Sequence, residues 1–258
     1  MEVKSVLKPA LAITHLLGYC IAVVLSVQMV ACTTVSEPGV AITHPGKASS
    51  NVVPAFAHWQ HYPLPGKAAT EFSIAKLDGL EVVVASADAS ASMLRHLVRV
   101  EPADLGQLGF SWMVPQLIEQ ADMGVRQSDD SPVRVVLAFE GDRSKFSLKN
   151  AILSELSFTL TGEPLPYATL MYVWCNARPE GTVITNARTD RIRSMVVETG
   201  AGHLSQWLGY DRNIRADFEQ AFGEQPGALV GIGIMTDTDN TQAKARAWYG
   251  PLNLAAGK

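Results

Sequence analysis

The residues best equipped for chemistry stand just after an apolar run at positions 229–235: Thr236-Asp237-Thr238-Asp239-Asn240-Thr241. Asp237, Asp239 and Thr241 fall at every other position, the spacing with which a calcium loop opens. An EF-hand needs glycine at the sixth place and glutamate at the twelfth, where this chain has Gln242 and Trp248, so that motif fails. Two readings remain. One is a non-EF calcium site on Asp237 and Asp239, of the kind jelly-roll sugar-binding modules use. The other is Asp and Asn side chains at a strand end, accepting from backbone N–H groups to hold a turn.

A second group comprises Asp122, Arg126, Asp129, Asp130 and Arg134. Arg134 stands among apolar residues, where an unpaired charge costs several kcal/mol, so it requires a carboxylate or a ligand. Asp129 or Asp130 is the nearest in sequence. Arg95, Arg99, Arg191 and Arg193 also occupy alternate positions, so one sheet face would carry an arginine row. Such a row is an anion-binding groove or a set of Arg–Asp pairs bracing a solvated face. Among the tryptophans, Trp112 and Trp174 sit in apolar runs and read as core. Trp207 and Trp248, beside Tyr210 and Tyr249, read as partly exposed, and a ring next to Asp or Asn suits sugar stacking. The candidate ligand-binding set is therefore Asp129, Asp130, Arg134, Asp237, Asp239, Asn240 and Trp248.

Enzyme signatures are few. The chain contains no G-x-S-x-G, no H-E-x-x-H, no P-loop and no paired C-x-x-C. His58 and His61 have ligand-like spacing but no third ligand nearby. Beyond them only His96 and His203 are available as bases. A carboxylate glycosidase needs just two acids at the right separation, and no such pair stands out. With no catalytic residue assignable, the sequence leans away from an enzyme. A net charge of −4 over the full chain offers nothing to nucleic acid.

The N-terminus reads as an address. Lys4 and Lys8 precede an apolar run from 10 to 30, which ends in Met29-Val30-Ala31-Cys32. This is the layout of a bacterial export signal, and the small residue before Cys32 resembles the lipobox of bacterial lipoproteins. An uncleaved anchor and ordinary cleavage are the rivals, because about 21 apolar residues also suffice to span a bilayer. Lipidation of Cys32 would tether the domain to a membrane. Thr33 replaces the Asp that often marks inner-membrane retention, so a periplasm-facing lipoprotein of the outer membrane is expected. Residues 1–31 are the signal, 32–54 a Pro- and Gly-rich tether, and 55–258 a single domain with Phe56, Trp59 and Tyr62 packed onto it. Of the three cysteines, Cys20 lies in the signal and Cys175 is left alone, read as a small buried apolar residue.

These groups must be positioned mainly by strands. Strand patterns cover 81–87, 94–100, 108–114, 133–139, 169–174, 191–198, 229–235 and 245–254, separated by turn residues such as Asp78-Gly79. In 94–100, Leu94, His96, Val98 and Val100 face one way and Arg95, Leu97 and Arg99 the other. Segment 169–174 is apolar on both faces and reads as central. Two helices are expected. One is capped by Ser147, with Leu148, Ile152, Leu153 and Leu156 along its apolar stripe. The other runs from about 213 to 222 and stops at Gly223. The fold class is mainly β, a jelly-roll-like β-sandwich with one or two short helices.

Leu77-Asp78-Gly79, Ala87-Asp88-Ala89-Ser90-Ala91-Ser92, Phe110-Ser111-Trp112 and Tyr172-Val173-Trp174 carry a resemblance. So do Ser128-Asp129-Asp130 running into Val133-Arg134-Val135, Trp207, and Arg212 to Phe218. Phe222-Gly223 and Met235 to Thr241 complete it. With these stretches the domain resembles the bacterial family catalogued as domain of unknown function 3047. The resemblance implies an exported β-domain and adds no catalytic residue. The expected function is a non-catalytic, tethered module binding a glycan or another envelope component. A hydrolase of envelope polysaccharide and a structural or assembly protein of the envelope are the alternatives. No cofactor is expected other than the calcium considered above.

Overall fold

The computed structural model describes residues 50–257, apart from 52, 54 and 78. The signal, Cys32 and most of the stretch read as a tether fall outside those residues. Among the described residues fourteen strands form two seven-stranded sheets. The first contains β1 (Ser50–Asn51), β3 (Glu71–Leu77), β4 (Leu80–Asp88), β6 (Leu105–Met113), β11 (Leu208–Asn213), β13 (Lys244–Tyr249) and β14 (Asn253–Ala256). The second runs in the order β2 (Gln60–Pro63), β5 (Ala91–Val100), β12 (Leu229–Asp237), β7 (Ser131–Phe139), β8 (Ala168–Cys175), β10 (Ile192–Thr199), β9 (Val183–Thr185). All pairings are antiparallel except that of β8 with β10. The architecture is the β-sandwich expected. The folded part also reaches into the stretch read as tether, since Ser50 and Asn51 pair with β14.

Alternation builds the core. Val133, Val135, Leu137 and Phe139 of β7 face Leu108, Phe110 and Trp112 of β6 across the sandwich, all of them buried. Phe110 stacks on Tyr172 of β8 with ring centroids 5.5 Å apart, which ties one sheet to the other. Phe56 and Trp59 belong to this core as well. The opposite face of β8 is divided in two. Val173 and Cys175 pack with Met123, Ile184 and Val196 in a small second cluster, while Thr169 and Met171 line a cleft. That division is why β8 is apolar on both faces.

Helix α2 (Ile214–Phe222) starts where the Asn213 side chain accepts from Ala216 N–H, and stops at Gly223 with φ +68°. It buries Ile214, Phe218 and Ala221, with the Phe218 ring 4.6 Å from Phe139. Helix α1 (Leu148–Thr161) is capped by Ser147, as the sequence predicts, but Leu148, Ile152 and Leu156 point to solvent. Among the described residues no helix is long and apolar enough to cross a membrane.

Candidate functional site

A cleft of about 950 Å³ runs over the outer face of the second sheet. Its floor is set by strand alternation. The core-facing residues of β12 are Leu229, Ile232 and Ile234, so Gly231, Gly233 and Met235 turn outward. The same parity turns Met93 and Arg95 on β5, Arg134, Val136 and Ala138 on β7, and Thr169 and Met171 on β8 toward the cleft. The glycines keep the floor low. A Cβ on Gly231 would meet Ala138 Cβ at 3.6 Å and His96 O at 3.9 Å, both ordinary contacts, so a larger side chain there would rise into the cleft.

Arg134 stands at the edge of this floor and is 4% exposed. Its Nε donates to Asp237 Oδ1 (2.8 Å) on the neighbouring strand, and its Nη2 donates to Asp237 Oδ2 (3.1 Å) and to Asp129 Oδ1 (3.1 Å). Among the described residues its Nη1 reaches only the Met171 thioether, at 3.8 Å. Burial pushes the Asp237 carboxyl up, to about 6, while the guanidinium and its hydrogen bonds pull it back. The two carboxylates hold Arg134 fully charged, against the opposing effect of burial.

Asp130 does a different job. Its Oδ1 accepts from the Asn240 backbone (3.2 Å) and side chain (2.9 Å), and its Oδ2 from the Thr241 backbone (2.7 Å) and hydroxyl (2.6 Å). The 240–241 turn is thus held by an acceptor from outside the segment, Asp130, with the Asn240 side chain donating. Oxygens of Asp130, Asp237 and Asp239 do lie within 4.8 Å of one another. Each is already engaged, however: Asp130 by four donors, Asp237 by Arg134, and Asp239 by Lys67. A cation placed there would compete with a guanidinium and an ammonium, so the donor set fits a calcium ion poorly.

Asp129, Asp130, Arg134, Asp237, Asp239 and Asn240 thus come together at one end of the cleft. Trp248 does not. It lies on β13 in the other sheet, opposite Val84 and Met113, with the Arg246 guanidinium 5.0 Å from its ring. The arginine row also divides. Arg95 and Arg99 line the cleft, while Arg191 pairs with Glu224 and Arg193 donates to Ala221 O at the end of α2. Asp122 pairs with Arg178, away from Arg134. No sequence motif marks the Met93, Met171 and Met235 floor, with Tyr62 beneath Arg95 at 3.9 Å. One signal was present: glycines alternating with isoleucines at 231–234 mark a strand face left open.

Among the described residues the six carboxylates that line the cleft are all paired. Glu101 and Glu140 meet Arg99, Glu163 meets Arg95 (2.7 Å), Asp129 and Asp237 meet Arg134, and Asp239 meets Lys67. Asp129 and Asp237 share one guanidinium nitrogen, so Arg134 sits between them where a substrate would have to lie.

Residues 57–253 match the family model described as protein of unknown function (DUF3047). No curated protein matches the chain. It is similar to solved structures at low identity. One is described as "CBM4 structure and function" (6% identity, TM-score 0.36, 80% of this chain and 90% of that one). Another is the xyloglucanase domain of NopAA, a type three effector from Sinorhizobium fredii, in complex with cellobiose (7%, TM-score 0.39, 77% and 93%). A third is the family GH12 endoglucanase 3 of Trichoderma harzianum (8%, TM-score 0.40, 79% and 100%).

Proposed function

We propose that this chain, which belongs to the DUF3047 family of proteins of unknown function, is a non-catalytic binding module of the cell envelope. In this reading Cys32 carries the lipid that tethers it, facing the periplasm, and the cleft takes an extended envelope component, a glycan chain before others. The observation that carries the reading is Arg134. A buried guanidinium lines the cleft with its Nη1 facing a thioether and no oxygen. A ligand hydroxyl or carbonyl would complete it, and a hydrogen bond to a charged donor contributes about 1.5–3 kcal/mol. Asn186 and Arg188 line the cleft as further polar contacts, and the flat glycine–methionine floor would accept the C–H face of a sugar ring.

The pairing of every cleft carboxylate favours binding over hydrolysis, because a glycosidase needs one acid free to give up a proton and a second facing the reacting carbon. The test is titration calorimetry against soluble oligosaccharides of bacterial envelopes, with Gly231→Leu as the blocked control and reducing-end release assayed in parallel. Binding by the native chain, lost in Gly231→Leu and without new reducing ends, is expected. No binding to any oligosaccharide removes the glycan reading, and turnover would make the protein a hydrolase.

A further inference from the structure

Helix α1 sits on the domain with its polarity reversed. Asn150 and Ser154 are buried, with Ser157 and Thr161 half-buried along the same side. Asn150 donates to Asp190 (2.6 Å) and accepts from Thr189 (2.8 Å); Ser157 Oγ donates to Glu163 O (2.9 Å). The outer side carries Leu148, Ile152, Leu156 and Leu160, which are 79%, 58%, 51% and 60% exposed. A spacing of four puts them on one stripe. Surface helices ordinarily do the opposite, and a continuous aliphatic stripe in water marks a surface that something covers.

We propose that α1 is a membrane-docking helix, lying in the lipid interface of the bilayer to which the tether brings the domain; this rests on the tethered reading above. A second copy of the chain is the weaker occupant on area. Fourteen residues make a helix about 21 Å long. At about 10 Å wide it buries roughly 200 Å² per partner, far short of the ~1,200 Å² total of a stable interface. A bilayer sets no such threshold when another attachment supplies the local concentration. Cys32 stands 18 positions before Ser50. A flexible stretch of that length would reach roughly 23 Å, against a domain radius of gyration of about 17 Å, which would let a face of the domain meet the surface.

Charge agrees. Lys145 and Lys149 are exposed at the start of the stripe and form no salt bridge among the described residues, with Glu155 the single acid on the helix. Lysine stems lie along lipid while the ammonium groups reach anionic headgroups. Docking also has a consequence for the cleft. The chain leaving α1 passes through Glu163, Pro164, Leu165 and Pro166, which form a cleft wall, so a docked helix sets that wall close to the lipid surface.

The test is hydroxyl-radical footprinting of the full-length chain in vesicles of phosphatidylethanolamine and phosphatidylglycerol. Oxidation at Leu148, Ile152, Leu156 and Leu160 should fall at least about threefold relative to Ile74 and Val125, which are exposed elsewhere. Ile152→Ser/Leu156→Ser should restore it at Leu148 and Leu160. Protection that disappears on roughly tenfold dilution of protein in lipid would assign the stripe to a second copy and overturn the proposal. Flotation of the native chain and Cys32→Ser reads the tether separately. A chain that floats with an unprotected stripe keeps its tether and refutes the helix. Protection without flotation means that something other than lipid covers the stripe and refutes the helix as well. A Cys32→Ser chain that still floats with its stripe protected keeps the helix and refutes the tether.

Discussion

Arg134 of β7 and Asp237 of β12 meet as a two-point pair on adjacent strands, Nε to Oδ1 at 2.8 Å and Nη2 to Oδ2 at 3.1 Å. Asp237 also accepts the Ser131 backbone N–H at 3.2 Å, so one carboxylate fixes the start of β7 and its buried charge together. The pair offsets the cost of a buried charge and holds the guanidinium at the cleft floor, with its Nη1 on the Met171 thioether. Under the proposed function, that nitrogen is the one a ligand oxygen would meet.

Breaking that pair should cost unequal amounts by direction. Arg134→Ala strands two carboxylates, Asp237 buried and Asp129 nearly so, and should destabilise by about 3–5 kcal/mol in urea unfolding. Asp237→Asn leaves Arg134 its bond to Asp129 and should cost clearly less. Equal losses would mean that the two carboxylates do not share the charge as the geometry has it.

The same pair has a pH signature. The Asp237 carboxyl is raised from 3.8 to about 6 by burial. Between those values the folded state keeps a proton that the unfolded chain has lost, so the Asp237 contribution falls as pH rises through this window and is constant above it. Relative to Asp237→Asn, the native protein should therefore lose stability from pH 4 to about 6 and then run parallel to the variant. A stability difference that is flat across this range would contradict the raised carboxyl.

Calcium should leave the protein unchanged. Asp130 is saturated by Asn240 and Thr241, and Asp237 and Asp239 hold basic side chains. Thermal unfolding with millimolar calcium and with chelator should coincide. A rise of several degrees with calcium would show that the ion displaces Lys67 from Asp239.

Strands β4, β5, β6, β7, β8, β10 and β12, the capped ends of both helices and the need of Arg134 for a carboxylate were legible in the sequence because each is a local rule. Strands β1, β2, β3, β9 and β11 were not, and the run 245–254 divides into β13 and β14. Period-two alternation placed Arg95, Leu97 and Arg99 opposite the core, and Ser147 and Gly223 marked helix ends. Which acid meets Arg134 was half legible. Asp129 is a near neighbour, whereas Asp237 comes from a strand 103 positions away, whose register is set by pairing. Trp248 looked ready for a ligand because exposure is visible in sequence, but its sheet is not. Helix α1 misled for a related reason: an apolar stripe is taken to face the core, and nothing local says that Asn150 has Thr189 and Asp190 to meet.

That inversion makes a prediction contrary to the usual rule for helices. Replacing a polar residue by leucine ordinarily helps a core-facing position, yet Asn150→Leu should destabilise by about 1–3 kcal/mol, because it leaves the buried Thr189 hydroxyl with no acceptor for its proton. Ile152→Ser, on the exposed side, should change stability by within about 0.5 kcal/mol in the absence of lipid. Both follow from urea unfolding of single variants. If instead Ile152→Ser were the costly change and Asn150→Leu the neutral one, α1 would face the domain with its aliphatic stripe, and the reversed helix, with the membrane contact built on it, would fall.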